Sequence, residues 1–115
     1  FYCRKSGFGV DYNAPTALDV ARVAKTKWDL GLAGGMLIGN PVPEEYAMDF
    51  TEMSAIIDKA LASAAEAGVR GKNITPYLLA HIVEYTGGRS LATNIQLAYN
   101  NARVAAAIAV ELAKL

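Results

Sequence analysis

Apolar and polar positions recur with helical spacing along most of the chain, and the clearest pattern lies near its middle. There, apolar side chains follow one another at intervals of three and four, at Met53, Ile56, Ile57, Ala60, Leu61 and Ala64. This spacing places them on one face of an α-helix. The pattern predicts a helix from about Thr51 to Ala67, closed by Gly68.

A second helix is predicted between Ala17 and about Leu30. Thr16 and Asp19 have the spacing of a capping box, in which each side chain accepts a hydrogen bond from the other's backbone. Gly31 follows the last helical position and marks the end. Trp28 is expected to lie in the core or at an interface, because it shares a helix face with apolar neighbours.

Two further helices are predicted on either side of the Gly87-Gly88 pair. Thr75 is expected to cap the first of them, with Pro76 in its first turn, and Ser90 is expected to cap the second. Gly87 stands where a left-handed residue commonly ends a helix. The first helix has an apolar stripe at Leu78, Leu79, Ile82 and Val83, and the second continues to Leu115.

The last helix is apolar on more than one side, which is typical of a helix buried inside a larger structure. Asn94 and Asn101 are seven residues apart and share one face of it. Two interpretations remain open. Both asparagines could tie the helix to a loop, because a buried amide left unpaired costs about 1–3 kcal/mol. Alternatively, Asn94 lies at a ligand pocket one turn into the helix.

Extended structure is predicted in two places. The apolar run from Gly34 to Asn40 has the composition of a buried strand, and residues 1–7 alternate as a short strand would. A helix, a glycine turn and an apolar strand are typical of an α/β sheet protein. The stiff loop that follows carries Glu44 and Glu45, either as acid/base groups or as solvated carboxylates, since ligands of α/β proteins bind beyond the strand ends.

Composition excludes several function classes. Lys plus Arg and Asp plus Glu balance at 11 each, so no net charge favours nucleic acid or an anionic membrane. Hydrophobic residues make up 53% of the chain, which indicates a partner or further chain covering apolar surface. Cys3 is the only cysteine, which favours a reducing compartment and disfavours zinc. No signal peptide or membrane span is indicated, and the start at Phe1 without Met indicates a piece of a longer protein.

Known catalytic motifs are absent: no Walker loop, dinucleotide fingerprint, metal-binding His/Glu spacing or nucleophile elbow occurs. His81 is interpreted as a surface or hydrogen-bonded histidine, and Arg70 and Lys72 as solvated cations that alternatively meet a phosphate. Two classes therefore stay open. The chain is part of an enzyme whose pocket it helps to wall, or a non-catalytic helical module that buries its apolar surface against partners.

Three long motifs resemble one family. They are KWDLGLAGGMLIGNPVPEE, GKNITPYLLAHIVEY and TGGRSLATNIQLAYNNARVAAAIA, preceded by FYCRKSGFGV. Together they resemble the C-terminal part of the pseudouridine-5′-phosphate glycosidases, the family that includes the indigoidine-synthesis protein A. The resemblance implies an α/β fold, of which residues 1–115 form the C-terminal, mostly helical part of an α/β/α sandwich and belong to a single domain.

The resemblance also implies an activity. Such enzymes reversibly convert pseudouridine 5′-phosphate and water into uracil and ribose 5-phosphate, with a lysine Schiff base, a proton-donating glutamate and a divalent metal, typically Mn²⁺. A cytoplasmic homotrimer is implied, with no nucleic-acid or membrane partner. An iminium at the sugar supplies the electron sink that cleavage of a carbon–carbon bond needs.

The resemblance assigns only one site residue here, Asn94, as a side chain that hydrogen-bonds the substrate. The Schiff-base motif is not matched by any of Lys25, Lys27, Lys59, Lys72 and Lys114. The resemblance implies that the catalytic lysine, the glutamate and the metal-binding aspartate belong to the part of the family before Phe1. The expectation is that the 115 residues alone are inactive and hold no metal. The alternative is a non-catalytic helical module, or a remnant of the same fold.

Overall fold

The computed structural model describes all 115 residues, and its regular structure is helical throughout. Four α-helices follow one another: α1 (Ala17–Asp29), α2 (Phe50–Glu66), α3 (Ile74–Tyr85) and α4 (Arg89–Lys114). Two short 3-10 turns, Glu44–Tyr46 and Gly71–Asn73, precede α2 and α3. None of the helices combines the length and the apolar character needed to cross a membrane.

The chain forms two compact units. The first comprises Phe1–Ser6 and Pro41–Leu97, and the second comprises Gly7–Asn40 and Ala98–Leu115. Helix α4 therefore begins in the first unit and ends in the second.

The core of the first unit lies between α2 and α3. Tyr2, Met53, Ala60 and Ile82 are buried there, and half-buried apolar side chains pack around them: Cys3, Met48, Ile56, Ile57, Leu78, Leu79 and Tyr85. The predicted stripe of α2 is confirmed, except that Leu61 is 45% exposed at its edge. Asp49 caps α2 by accepting the backbone N–H of Glu52 at 2.8 Å.

Helix α1 in the second unit begins with the predicted capping box. The Thr16 hydroxyl accepts the N–H of Asp19 at 3.2 Å, and the Asp19 carboxylate accepts the N–H of Thr16 at 3.1 Å. Val20, Ala21 and Ala24 form its buried face. Trp28 is 54% exposed, so the prediction that it lies in a core is wrong for this structure and only the interface alternative stays open.

The predicted strands do not form. Residues 34–40 and 1–7 have no regular structure, and the Leu37 side chain is fully exposed. A strand is stabilised by a ladder of hydrogen bonds to a neighbouring strand, and neither stretch forms such a ladder within this chain. The α/β class is thus shown only in its helical part.

Two predicted helix caps are also wrong. The 3-10 turn Gly71–Asn73 runs directly into α3, so Thr75 is the second helical residue and Pro76 lies next to it, still in the first turn. Ser90 lies inside α4, which begins at Arg89. The left-handed conformation predicted for Gly87 is confirmed, with φ of 58°, and Gly88 is left-handed as well, with φ of 86°.

Candidate functional site

The turn between α3 and α4 is built around two buried hydroxyls. Thr86 donates a hydrogen bond to the carbonyl of Ile82 at 2.7 Å, and its oxygen accepts the backbone N–H of Ser90 at 3.1 Å. The Ser90 hydroxyl lies 2.9 Å from that of Thr86 and is fully buried. Thr86 therefore ends α3 and caps α4 with a single side chain, the role that the sequence pattern predicts for Ser90.

One turn further along α4, Thr93 joins the helix to the proline-rich loop. Its hydroxyl donates to the backbone carbonyl of Tyr46 at 2.9 Å, and the residue is 5% exposed. Tyr46 ends the 3-10 turn Glu44–Tyr46, which follows Pro43. The contact holds this turn against the first part of α4, although the two segments are far apart in sequence.

Asn94 follows Thr93 and is half-buried. Its side-chain amide makes no hydrogen bond within the chain, whereas Asn101 accepts a hydrogen bond from the Asn40 amide at 2.9 Å. The two asparagines therefore differ in their bonding. Asn101 joins the helix to the segment at Asn40, as expected if this asparagine has a structural role. The Asn94 amide keeps a donor and an acceptor available for another molecule.

The charged groups of the first unit fall into two kinds. Arg89, the first residue of α4, forms an ion pair with Glu52 in the first turn of α2. Glu44 and Glu45 are exposed and form no ion pair, which fits the solvated alternative. Arg70 and Lys72, the cations that could meet a phosphate, are also exposed.

The His81 side chain contacts two aromatic neighbours on its own helix, α3. Its ring stacks on Tyr77 with centroids 3.9 Å apart, and Nδ1 lies 2.9 Å from the Tyr77 carbonyl. The Tyr85 ring lies edge-on to the His81 ring, with centroids 6.1 Å apart. Because that carbonyl can only accept, Nδ1 carries the proton. The interpretation of His81 as a hydrogen-bonded histidine is confirmed.

Lys27 is bonded to the backbone that follows α1. Its ammonium donates to three carbonyls, those of Leu32, Ala33 and Gly34, at 2.8, 3.0 and 2.8 Å. These three bonds use every hydrogen of the ammonium, so Lys27 is a structural residue.

Three other lysines also have structural partners. Two form ion pairs, Lys25 with Asp29 and Lys114 with Glu111, and Lys59 lies over the ring of Tyr85. Like Lys27, each of these three side chains therefore contacts a group of the chain itself.

Cys3 packs against the core of the first unit, with Sγ 3.8 Å from the Asp49 carbonyl. Burial raises the pKa of the thiol, the Phe1 ammonium lowers it, and the Asp49 carboxylate raises it further. A raised pKa reduces the thiolate fraction, so this environment suits a small apolar residue better than a nucleophile.

No group of three or more His, Cys, Asp or Glu side chains is arranged to hold a metal ion. The second unit contains an open depression of about 520 Å³ beside α1, lined by Tyr12, Asp19, Arg22, Val23, Thr26, Lys27, Leu30 and Leu32. Asp19 and Lys27 are already bonded within the chain. Asn94 does not line this depression.

Comparison with known proteins establishes the family. The profile described as "Indigoidine synthase A like protein" matches residues 1–111. The chain belongs to this family. It is 54% identical over all 115 residues to a pseudouridine-5′-phosphate glycosidase of Clostridium botulinum, and 53% identical to proteins of that name from Caldanaerobacter subterraneus and Deinococcus radiodurans. The family is thus one of enzymes.

The fold is shared with a solved enzyme. The prealnumycin C-glycosynthase AlnA, crystallised with ribulose 5-phosphate, superposes on 96% of this chain with a TM-score of 0.82 and 27% identity. The chain spans 38% of the length of the Clostridium relative and 36% of the AlnA chain. Most of the length of each relative therefore lies outside the matched region.

Two contributors to this site are not evident from the sequence pattern. Thr86 and Thr93 provide the buried hydrogen bonds that hold the turn and the loop. The position of Thr86, four residues before Ser90 and next to Gly87, is a signal for a hydroxyl that bonds backward and forward across a turn. Nothing local in the sequence marks the partner of Thr93, because Tyr46 is 47 residues away.

Proposed function

We propose that the full-length protein cleaves the carbon–carbon glycosidic bond of pseudouridine 5′-phosphate, giving uracil and ribose 5-phosphate. The observation that carries this proposal is the identity of 54% over the whole chain to a pseudouridine-5′-phosphate glycosidase. In the balanced reaction, one water molecule is consumed, its hydroxyl ends on the sugar anomeric carbon, and a proton ends on C5 of uracil. The reverse reaction forms the same bond.

The solved neighbour supports the same class of substrate. It is named as a C-glycosynthase, an enzyme of carbon–carbon glycosidic bonds, and was crystallised in complex with a pentulose phosphate. A C-glycosidic bond lacks the oxygen whose protonation assists an ordinary glycosidase. A lysine Schiff base with the opened sugar would supply the electron sink instead, and a glutamate would supply the proton to the uracil carbon.

We place that lysine, that glutamate and a divalent metal, with Mn²⁺ the expected ion, in the part of the relatives outside the matched region. Lys27 is committed to three backbone carbonyls, and no metal-binding cluster occurs among residues 1–115. What the present residues contribute is binding. In this proposal the Asn94 amide, free of intrachain bonds, hydrogen-bonds the substrate.

The proposal includes a fold for the complete protein. Residues 34–40 become a strand of the central sheet of an α/β/α sandwich, paired with strands outside the matched region, and the exposed Leu37 becomes buried. The apolar side chains exposed nearby, Trp28, Leu30, Leu32 and Ile38, support such a cover. Assembly as a homotrimer and a cytoplasmic location complete the proposal.

The decisive experiment uses the protein from the full open reading frame. Incubation with pseudouridine 5′-phosphate, followed by chromatography, should release uracil and ribose 5-phosphate in equal amounts, and removal of divalent metal with a chelator should stop the release. The chain of residues 1–115 alone should release none. If the full-length protein is folded, supplied with Mn²⁺ and still inactive, the non-catalytic helical module becomes the better account.

A further inference from the structure

The loop that precedes α2 is fixed at three backbone positions. Arg4 donates to the carbonyl of Val42 at 2.7 Å, and the N–H of Met48 donates to the carbonyl of Tyr2 at 2.8 Å. Between these two contacts, the carbonyl of Tyr46 accepts the Thr93 hydroxyl. The first two contacts come from the N-terminal segment. The third joins the loop to α4.

The hydrogen bond from Thr93 to Tyr46, called the tie below, has the features of a specific contact rather than an incidental one. The side chain is 5% exposed, so water does not replace the bond when it is lost. Its partner is a backbone carbonyl, which a change of the Tyr46 side chain would not remove. Val42, which is 1% exposed, holds the preceding part of the same loop in the interior. The loop therefore enters the 3-10 turn in a fixed position.

Both segments that this bond joins carry polar side chains without a partner in the chain. Asn94 follows Thr93 on α4, and its amide makes no bond within the chain. Glu44 and Glu45 are on the turn that Tyr46 ends, and both carboxylates are exposed. The rotation of α4 about its axis sets the direction of the Asn94 side chain, and Thr93 lies only one residue, about 100°, away on the same helix.

We propose that Thr93 is a positioning residue, which holds the 3-10 turn Glu44–Tyr46 against α4 and thereby orients the Asn94 amide toward substrate. This inference deepens the proposed function and rests on it. Thr93 acts here as a positioning residue and not as a ligand of the substrate, because it is 5% exposed and its hydroxyl hydrogen is donated to Tyr46. Its effect on turnover passes through Asn94 and the turn, since displacement of a binding group by about 1 Å can cost as much as a hundredfold in rate.

Two matched variants of the full-length protein test the tie. Thr93→Val keeps the shape and removes the hydroxyl, whereas Thr93→Ser keeps the hydroxyl and removes a methyl group. We expect Thr93→Val to lower kcat/KM for pseudouridine 5′-phosphate by about tenfold and Thr93→Ser by less than threefold. A role in packing alone predicts the opposite order, because valine preserves the packing.

A double-mutant cycle separates positioning from general damage. If Thr93 acts through Asn94, then Thr93→Val costs little more once Asn94→Ala is present, and the double variant resembles Asn94→Ala alone. The inference would be overturned if the fold-losses in kcat/KM of the two single variants multiply in the double variant. It would also be overturned if Thr93→Val has the wild-type kcat/KM.

Hydrogen–deuterium exchange of the peptide covering residues 44–48 supplies a readout independent of activity. It should be faster in Thr93→Val than in the wild type and in Thr93→Ser. Unchanged exchange overturns the inference whatever the enzyme does. A wild-type protein without glycosidase activity overturns the proposed function, and the role of Thr93 toward that substrate with it, while faster exchange in Thr93→Val alone would still establish the tie.

Discussion

Thr86 and Ser90 form a closed pair beneath the turn between α3 and α4, with hydroxyl oxygens 2.9 Å apart and both side chains buried. The backbone N–H of Ser90 also donates to the Thr86 oxygen. One threonine thus satisfies groups at the end of one helix and at the beginning of the next. The placement of Asn94 on α4 depends on this junction.

Removing the Thr86 hydroxyl should destabilise the protein. Thr86→Val keeps the volume but leaves the Ser90 N–H without its buried acceptor, at a cost of about 1–3 kcal/mol. Urea denaturation of the full-length protein measures the free energy of unfolding. Thr86→Ser, which retains the hydroxyl, serves as the control and should lose less. Equal losses in both variants would show that the methyl group, not the hydrogen bonds, matters.

Substitution of the two asparagines of α4 should affect different properties, kcat/KM for Asn94 and the free energy of unfolding for Asn101. Asn94→Ala removes an amide that has no partner in the chain, so the unfolding free energy should hardly change while kcat/KM falls at least tenfold, about 1.4 kcal/mol of transition-state stabilisation. Asn101→Ala loses the bond to Asn40 and should cost about 0.5–1.5 kcal/mol of stability with little effect on kcat/KM. An unchanged kcat/KM in Asn94→Ala would return that residue to a structural role.

Lys27 should be important for stability rather than for chemistry. Lys27→Met keeps the length of the side chain but removes three hydrogen bonds to carbonyls that follow α1. Bonds to charged groups are worth about 1.5–3 kcal/mol when shielded, and the partial exposure of Lys27 reduces that figure. Chemical denaturation measures the loss. Lys25→Met, which breaks only an exposed ion pair with Asp29, is the control and should be nearly neutral.

Leu37 tests the fold proposed for the complete protein. If residues 34–40 form a buried strand there, Leu37→Ala should cost about 2–5 kcal/mol of unfolding free energy, although the side chain is fully exposed among residues 1–115. Leu61→Ala, on the edge of α2, is a comparison site with a partly exposed leucine. A Leu37→Ala variant of the full-length protein with wild-type stability would contradict the sheet.

Cys3 should react more slowly in the folded protein than in the unfolded chain. Because burial is the largest influence and raises the pKa of the thiol, alkylation by iodoacetamide, followed by peptide-resolved mass spectrometry, should reach half its maximal rate at a higher pH than in urea. The raised pKa also makes the free energy of unfolding depend on pH. The stabilisation from the neutral thiol is present below the unfolded pKa and is lost as pH rises through the folded pKa. Identical pH profiles would remove both expectations.

The helices were predictable because their signals are local. The periodic face of α2, the capping box at Thr16 and the glycines after α3 each lie within a few residues of the element they define. The cap at Ser90 is wrong because α4 already begins at Arg89 and the N–H of Ser90 is bonded to the Thr86 hydroxyl, an arrangement that depends on the three-dimensional path of the turn. The start of α3 was wrong because the 3-10 turn at Gly71 continues into the helix.

The strands and the Thr93 contact were beyond local reasoning for a different reason. A strand forms only when a second strand is available to hydrogen-bond with it. The apolar composition of residues 34–40 indicates that they favour a buried strand, but it does not show which segment would pair with them. The bond from Thr93 to Tyr46 likewise depends on where two distant segments meet. The spacing of Asn94 and Asn101 predicts that both lie on one face of α4. It does not predict that Asn101 is bonded to Asn40 while the Asn94 amide has no partner, because that difference depends on where Asn40 lies in the fold.

The turn at Gly87 and Gly88 has a consequence for chemical synthesis of the protein. Both residues have positive φ, and a Cβ built on either would meet no atom within 4 Å. The restriction is therefore one of handedness and not of space. An L-alanine would be strained at either position by its backbone conformation alone, whereas a D-alanine prefers positive φ and would reduce the freedom of the unfolded chain. A mirror-image residue would thus stiffen the junction that precedes α4.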